Sequence, residues 1–224
     1  MKIVFATGNG GKLREASEIL GRGFELVSPT EMGIANDIPE TGSTLKANSL
    51  EKANYIFDHC GGADCFADDT GLEVEILGGA PGVHTARYAG ESKEPNANMD
   101  KLLDSMARRE MEASIAREYG INTVHATRKA RFHTIISLII KGEKHFFEGI
   151  MHGKIAIAKA GKGGFGYDPV FVPEGCQGKT IAEIGEDEKN AISHRGKALR
   201  AMAESLHSLS HNESEDRTYS TESH

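Results

Sequence analysis

A chain of 224 residues with 38% hydrophobic content can bury the core of one large domain or of two lobes, and no run approaches the roughly 18 apolar residues of a membrane span, so no membrane contact is expected. A net charge of −7 argues against a broad basic face for nucleic acid and leaves room for a small polyanion met by a few converging Lys and Arg residues. Cys60, Cys65 and Cys176 lack metal or redox spacing and read as free thiols, and the apolar stretch of "MKIVFATGNG" is too short for a secretory signal, so a soluble, cytoplasmic protein is expected.

"KIVFA" predicts a buried strand, and "GKLREASEIL" a helix with Leu13, Ala16, Ile19 and Leu20 on one side. "FELVS" predicts a second strand, which makes a β-loop-α-β unit. Its loop, Thr7, Gly8, Asn9, Gly10, Gly11 and Lys12, falls at the carboxyl end of the first strand, the edge where open α/β sheets bind ligands. Backbone N–H groups can approach an anion closely where no Cβ intrudes. A P-loop is excluded, because Ala6 stands where its first glycine should be and Leu13 where its magnesium-binding hydroxyl should be. "STLKANSLEKANYIF" predicts a second helix, with Leu50, Ala53, Ile56 and Phe57 at helical spacing, and "DCFADD" a strand ending in acid.

Asp68 and Asp69 would then leave that strand into a turn. Adjacent carboxylates on a regular strand face opposite ways, so at most one of them points into a given site unless the turn rotates both. The pair reads either as a solvated turn or cap, or as a hard oxygen ligand for magnesium beside a phosphate loop, with Glu40 of "IPETGST" as partner.

From Gly71 to Gly90 the pattern is extended segments and turns. Pro95 can start the helix "NANMDKLLDSMA", with Met99, Leu102, Leu103 and Met106 inward, and "MEASIAREYG" predicts a separate helix on a linker. "ARFHTIISLII", "KGEK" and "HFFEGIM" predict a long β-hairpin, with a further strand in "KIAIA". In "GKGGFGYDPVF", Gly161, Gly163 and Gly166 satisfy G-x-G-x-x-G, but a strand-like run follows where a dinucleotide site needs a helix N-terminus. That loop reads as a structural turn, or as a device presenting Phe165 to a base and Asp168 to its hydrogen-bonding edge.

"DEKNAISHRGKALRAMAESLHSL" predicts helix broken near Ser193, a plausible N-cap. Lys189, His194 and Arg195 near that start are either a solvated basic face or donors to phosphate or a purine carbonyl. Ser193 and His194 do not read as a nucleophilic pair, since such partners meet through space. Residues 210–224 are polar without apolar periodicity and read as a disordered tail on a single domain of residues 1–209.

Four segments, "TGNGGK", "ADDTGLEVEILGGAPGVHTARYAG", "GGFGYDPVF" and "ISHRGKAL", together resemble the signature blocks of the inosine triphosphate pyrophosphatase family, in that family's order from residue 3 to about 200. The resemblance implies an α/β fold with a mixed, twisted, elongated central sheet flanked by helices, two lobes with a cleft between them, and a homodimer. It implies magnesium-dependent hydrolysis of dITP, ITP and XTP to the monophosphate and pyrophosphate. Thr7 to Lys12 and Lys52 would take the triphosphate, Asp69 would be the catalytic base with Thr70 beside the substrate, and Glu40 and Asp69 would hold Mg2+, with Asp68 assisting. Phe165, Gly166, Tyr167 and Asp168, then Lys189, His194 and Arg195, would take the base. The chain departs from the family's T-F-x-E-N-A, since "TLKANS" puts Leu45 at the aromatic and Ala47 at the acid, and the stretch from Ser105 to Phe132 is longer than the family's usual linker. A related pyrophosphatase family acting on other modified nucleotides, and a non-catalytic nucleotide sensor, are the alternative readings.

Overall fold

The computed structural model describes residues 1–35, 38–121 and 127–219, with side chains from 210 onward outside the description. Strand β1 (Lys2–Phe5) leads through the glycine loop into helix α1 (Gly10–Leu20), which Asn9 caps by accepting from the N–H groups of Gly11 and Lys12. Strand β2 (Glu25–Val27) pairs parallel with β1. Helix α2 (Leu45–His59) starts at Thr44, whose hydroxyl accepts from Ala47 N–H. Strand β3 (Cys65–Val74) follows, then the short β4 (Pro81–Gly82) and helix α3 (Pro95–Glu118) with its proline in the first turn.

Strands β5 (Lys129–Ile140) and β6 (Glu143–Ile155) form a hairpin whose turn residues Lys141 and Gly142 have φ 52° and 82°, the left-handed pair that matches the twist of the strands. Strand β7 (Phe171–Pro173), helix α4 (Glu186–Ile192) and helix α5 (His194–Tyr219) complete the chain. Ser193 breaks the helix, its Oγ accepting from Gly196 N–H. Residues 220–224 of the expected tail lie outside the described residues, as do 122–126 of the long linker.

Among the described residues the strands make one seven-stranded sheet in the order β2-β1-β3-β5-β6-β7, with β4 on β3. Pairing is parallel where β1 meets β2 and β3, and antiparallel from β3 onward, so the sheet is mixed, as the family resemblance implied.

Alternation along the strands builds the core. Phe5, Phe66, Ile136 and Leu138 turn to one face and meet Ala16 and Leu20 of α1 and Leu199, Met202 and Leu206 of α5. Val4, Cys65, Ala67 and Ile139 turn to the other and meet Ala53 and Ile56 of α2. Farther along, Leu72, Val74, Phe132 and Met151 pack on Met99, Leu102 and Met106 of α3 and on Phe171.

Four expectations are corrected. Strand β3 does not end at the acids but continues through them to Val74, because β5 pairs with it along its whole length. "MEASIAREYG" is no separate helix; α3 runs on to Glu118, its later turns leaving Met111 and Ile115 exposed. "KIAIA" is not a strand of its own, since β6 takes in Lys154 and Ile155 and leaves Ile157 85% exposed. The inward face of α2 is Leu45, Asn48, Ser49, Lys52, Ala53 and Ile56, more polar than the expected stripe and without Leu50 or Phe57 in its buried set.

Helix α5 meets β6 at a point without side-chain room. A Cβ at Gly149 would run into the carbonyl oxygen of His194 and come within 2.8 Å of Ala198 N. Gly149→Ala should therefore push backbone apart and destabilise by about 2–3 kcal/mol, seen as a lower urea midpoint at unchanged slope. Wild-type stability in that variant would mean that β6 and α5 do not meet this closely.

Candidate active site

The site originates in an uneven strand. On one edge β3 pairs with β5 from Cys65 to Val74. On the other edge Cys65 and Phe66 pair with β1, and Leu72 and Glu73 with β4, so among the described residues no strand lies beside 67–71. A cleft opens there, with a cavity of ≈160 Å³ bordered by Thr7, Gly8, Lys12, Glu40, Lys52 and Asp68. A larger cavity of ≈290 Å³ lies at the far end of the sheet between Glu73, Arg131 and Glu174 and holds none of the expected site residues. Size alone does not mark the site.

Asp68 and Asp69 do face opposite ways. Asp68, 2% exposed, turns to the α1 and α5 side, where Lys12 Nζ donates to both its oxygens at 2.9 Å and Arg195 Nε donates to Oδ2 at 3.0 Å. Burial alone would raise its pKa, but Lys12, Arg195 and Lys52 outweigh that and hold the carboxyl well below the usual range. Arg195 also donates from Nη1 to Glu15 Oε2 at 3.2 Å. Burial lowers the pKa of Lys12, which Asp68 offsets only in part because Arg195 and Lys52 add like charge. In the loop itself Asn9 spends its side chain on capping, and its own N–H donates to Thr7 Oγ1 at 3.2 Å.

Asp69 turns to the α2 side. Asn48 Nδ2 donates to its Oδ2 at 3.1 Å, and Lys52 Nζ lies 3.3 Å from its Oδ1 and 2.6 Å from Glu40 Oε1. Burial pushes the Asp69 carboxyl up and Glu40 adds to this, against the pull of Lys52 and Asn48. For Lys52 burial works downward, and the carboxylates of Asp69, Asp68 and Glu40 more than reverse it. Arg87 Nη1 approaches Glu40 Oε2 at 4.0 Å from the far side.

These residues fit a hard divalent cation. Glu40 and Asp69 already converge on one positive group, the Lys52 ammonium, and the buried Oδ1 of Asn48 has no hydrogen-bond partner among the described residues. No group of three or more His, Cys, Asp or Glu among the described residues is placed to hold a metal ion by itself. Two carboxylates and an amide oxygen suit Mg2+, which keeps waters and shares substrate phosphates, better than a metal needing a full protein cage.

The second group of expected residues forms a separate wall. Phe165 is 64% exposed, with Lys189 Nζ 4.6 Å from its ring centre. Asp168 is buried, and its Oδ2 is committed within the loop, accepting from Phe165 N–H at 2.8 Å and Lys189 Nζ at 2.7 Å. Gly164, at φ +74°, leaves the space that this carboxylate fills. Tyr167 is buried and donates its hydroxyl to Thr85 O at 2.9 Å, tying the loop to the turn after β4, while Gly166 turns the chain at φ +61°. His194 Nδ1 bonds Thr134 Oγ1 at 2.6 Å, and its ring stacks on Phe132. Burial, then Arg195, holds its pKa down at about 3. Thr70 Oγ1 bonds Thr134 Oγ1 at 2.8 Å.

Sequence reading missed Asn48, Arg87, Glu15 and Thr134. Asn48 had a signal, since it stands four residues before Lys52 and so on the same helical face. The other three meet their partners only through tertiary packing.

The sequence and structure both have close counterparts. The model of the Ham1 family matches residues 3–205. A dITP/XTP pyrophosphatase of Christiangramia forsetii is 45% identical over 92% of this chain and 99% of its own length, and one of Porphyromonas gingivalis is 47% identical over 92% and 97%. The structure of a HAM1 protein from Coxiella burnetii superposes with TM-score 0.82 at 34% identity, covering 93% of this chain and 99% of that one. With its fold, its ordered sequence blocks and nearly its whole length matched, the chain belongs to the Ham1 family.

Proposed function

We propose that the protein is a nucleoside triphosphate pyrophosphatase that hydrolyses the non-standard purine nucleotides dITP, ITP and XTP to the monophosphate and pyrophosphate, clearing them from the nucleotide pool. The observation that carries this reading is the convergence of Lys12 and Lys52, from helices on opposite faces of the sheet, at the open edge of β3 where Asp69 sits. The relatives that match along the whole chain carry the same activity in their names.

In this reading the glycine loop and Lys12 hold the triphosphate, and Lys52 offsets charge developing on the pyrophosphate leaving group. Asp69 accepts the proton of the attacking water as the α–β phosphoanhydride breaks. Asn48 fixes the carboxylate by holding Oδ2, and burial raises its basicity. Glu40 and Asp69 would hold Mg2+. When bound, that ion supplies Lewis-acid neutralisation of phosphate oxygens.

Phe165 offers a stacking face stiffened by the Asp168 clasp, Lys189 stands over the ring, and His194 supplies a ring nitrogen toward the base. Arg195 contributes chiefly by tying α5 to Asp68. The protein is read as a cytoplasmic homodimer, which light scattering on the purified chain would check.

The deciding experiment measures pyrophosphate release from dITP, XTP, dGTP and dATP with magnesium, in the intact protein and in Asp69→Asn. Turnover of dITP and XTP above dGTP and dATP is expected, falling at least about 10²-fold in the variant without loss of fold. Nucleotide binding with no turnover would make the protein a sensor. The pH profile supplies a second check. Asp69 must be ionised to accept a proton, so kcat/KM should fall with acid through a pKa above the ordinary carboxylate value, and this limb should be absent from the residual activity of Asp69→Asn. A flat profile in the intact enzyme would remove Asp69 as the base.

A further inference from the structure

Glu40 and Asp69 have four carboxylate oxygens between them, and each of these already faces a donor. Lys52 Nζ takes one from each acid, Glu40 Oε1 at 2.6 Å and Asp69 Oδ1 at 3.3 Å. Asn48 Nδ2 takes Asp69 Oδ2 at 3.1 Å, and Arg87 Nη1 stands 4.0 Å from Glu40 Oε2. Among the described residues Lys52 alone bonds to both acids. It is their common counter-ion, and it sits at 7% exposure, where charges left without a partner are costly.

A divalent cation shared by both acids needs an oxygen from each, and Mg2+ demands them at about 2.0–2.1 Å. Taking the two that Lys52 holds displaces one group. Taking the other two would displace the Asn48 amide, itself 1% exposed, and would set the ion against Arg87. Lys52 and the ion are therefore rivals for Glu40 Oε1 and Asp69 Oδ1, since two positive charges at bonding distance from the same oxygens repel strongly. A displaced Lys52 has a place to go. Its ammonium ends a flexible four-carbon stem, and it borders the ≈160 Å³ cavity together with Thr7, Gly8 and Lys12 of the glycine loop.

We propose that Lys52 is an exchangeable counter-ion: it holds Glu40 and Asp69 until a divalent cation takes them, and by moving to the triphosphate it couples metal binding to nucleotide binding. The proposal rests on the reading of Glu40 and Asp69 as cation ligands and of the glycine loop as the triphosphate seat. Phosphate at the loop draws the ammonium off the acids and so frees them for the cation. The cation on the acids sends the ammonium toward the phosphate. Such coupling is reciprocal. Its consequence is opposite in sign for the two ligands, because removing Lys52 weakens the hold on phosphate yet strengthens the hold of the acids on a cation.

The test uses the ammonium itself as reporter. In wild-type protein labelled with 15N-lysine, the Lys52 side-chain signal is assigned by its loss in Lys52→Met. Mg2+ added without nucleotide should move that signal, and expose it to exchange with water, in step with the bound fraction measured by calorimetry. Binding of dITP in EDTA should move it as well. By calorimetry, Lys52→Met should bind Mg2+ about tenfold tighter than wild type, a size typical of coupling between sites, and dITP in EDTA more weakly. Loss of any positive charge favours a cation, and the wild-type spectrum separates that effect from exchange. A Lys52 signal that stays fixed while Mg2+ binds overturns the proposal, as does one that stays fixed while dITP binds. Unchanged or weaker Mg2+ affinity in Lys52→Met also overturns it. Should that variant fail to fold, Lys52→Arg assigns the signal and the wild-type titrations decide. Protein that hydrolyses dITP with its Lys52 signal fixed keeps the proposed function and loses the exchange. Protein that shows the exchange and releases no pyrophosphate loses the function alone.

Discussion

The site depends on one constraint, that β3 is paired along one edge and open in the middle of the other. A strand's side chains alternate between faces, so two consecutive acids cannot normally serve one cleft. The opening between β1 and β4 removes that barrier. Lys12 reaches Asp68 from one side of the sheet and Lys52 reaches Asp69 from the other, yet both lysines border the same cavity. The unbroken pairing with β5 keeps residues 67–71 in register, so Asp68 and Asp69 stand on strand while the groups that meet them come from loops and helices.

The neighbouring acids are thereby given different work. Asp68 is surrounded by three cations that hold it ionised, and breaking such a buried pair from one side costs about 3–5 kcal/mol because it strands the remaining charge. Its bonds to Lys12 and Arg195 join α1 to α5, and so join the glycine loop to the helix start that carries His194. Asp69 has weaker compensation: one lysine shared with Glu40, one amide, and a pKa moved upward. A carboxylate that is buried but under-neutralised is a better proton acceptor than one locked among cations. Environment separates an acid locked among cations from one whose proton affinity is raised.

Much of this was legible in the residues. The β-loop-α-β opening, the hairpin and the break at Ser193 follow from period and punctuation, and those signals are local. The opposed directions of Asp68 and Asp69 also follow from strand geometry, although the strand itself was cut short, because a run of acid, threonine and glycine looks like a turn until its pairing with β5 is known. The second helix is less apolar inward than its spacing suggests, because Asn48 carries no signal in the apolar pattern and Lys52 is directed to the site only by the family resemblance; both turn to Asp69. Asp168 has the same lesson in reverse. An acid after a glycine run looks available for a ligand, and only the loop's own fold shows Phe165 N–H and Lys189 occupying its Oδ2.

The departure at Ala47 bears on how Glu40 is held. The loop before α2 lies so close to the first helical turn that a Cβ at Gly42 would come 2.7 Å from Ala47 Cβ and 2.8 Å from Asn48 Oδ1. A small residue at 47 fits that approach, whereas a long acidic side chain would have to point away from it. The acid that grips the loop instead stands one turn later. Glu51 accepts from Thr41 N–H and Thr41 Oγ1, each at 2.7 Å, and Lys52 next to it reaches Glu40. Consecutive residues of one helix thus hold consecutive residues of the loop, Glu51 through backbone and hydroxyl, Lys52 through the carboxylate. The bond to Thr41 limits the travel of Glu40, and so limits how far the two carboxylates on Lys52 can separate. The small residue at 47 is thus what lets the loop that carries Glu40 lie against the first turn of the helix.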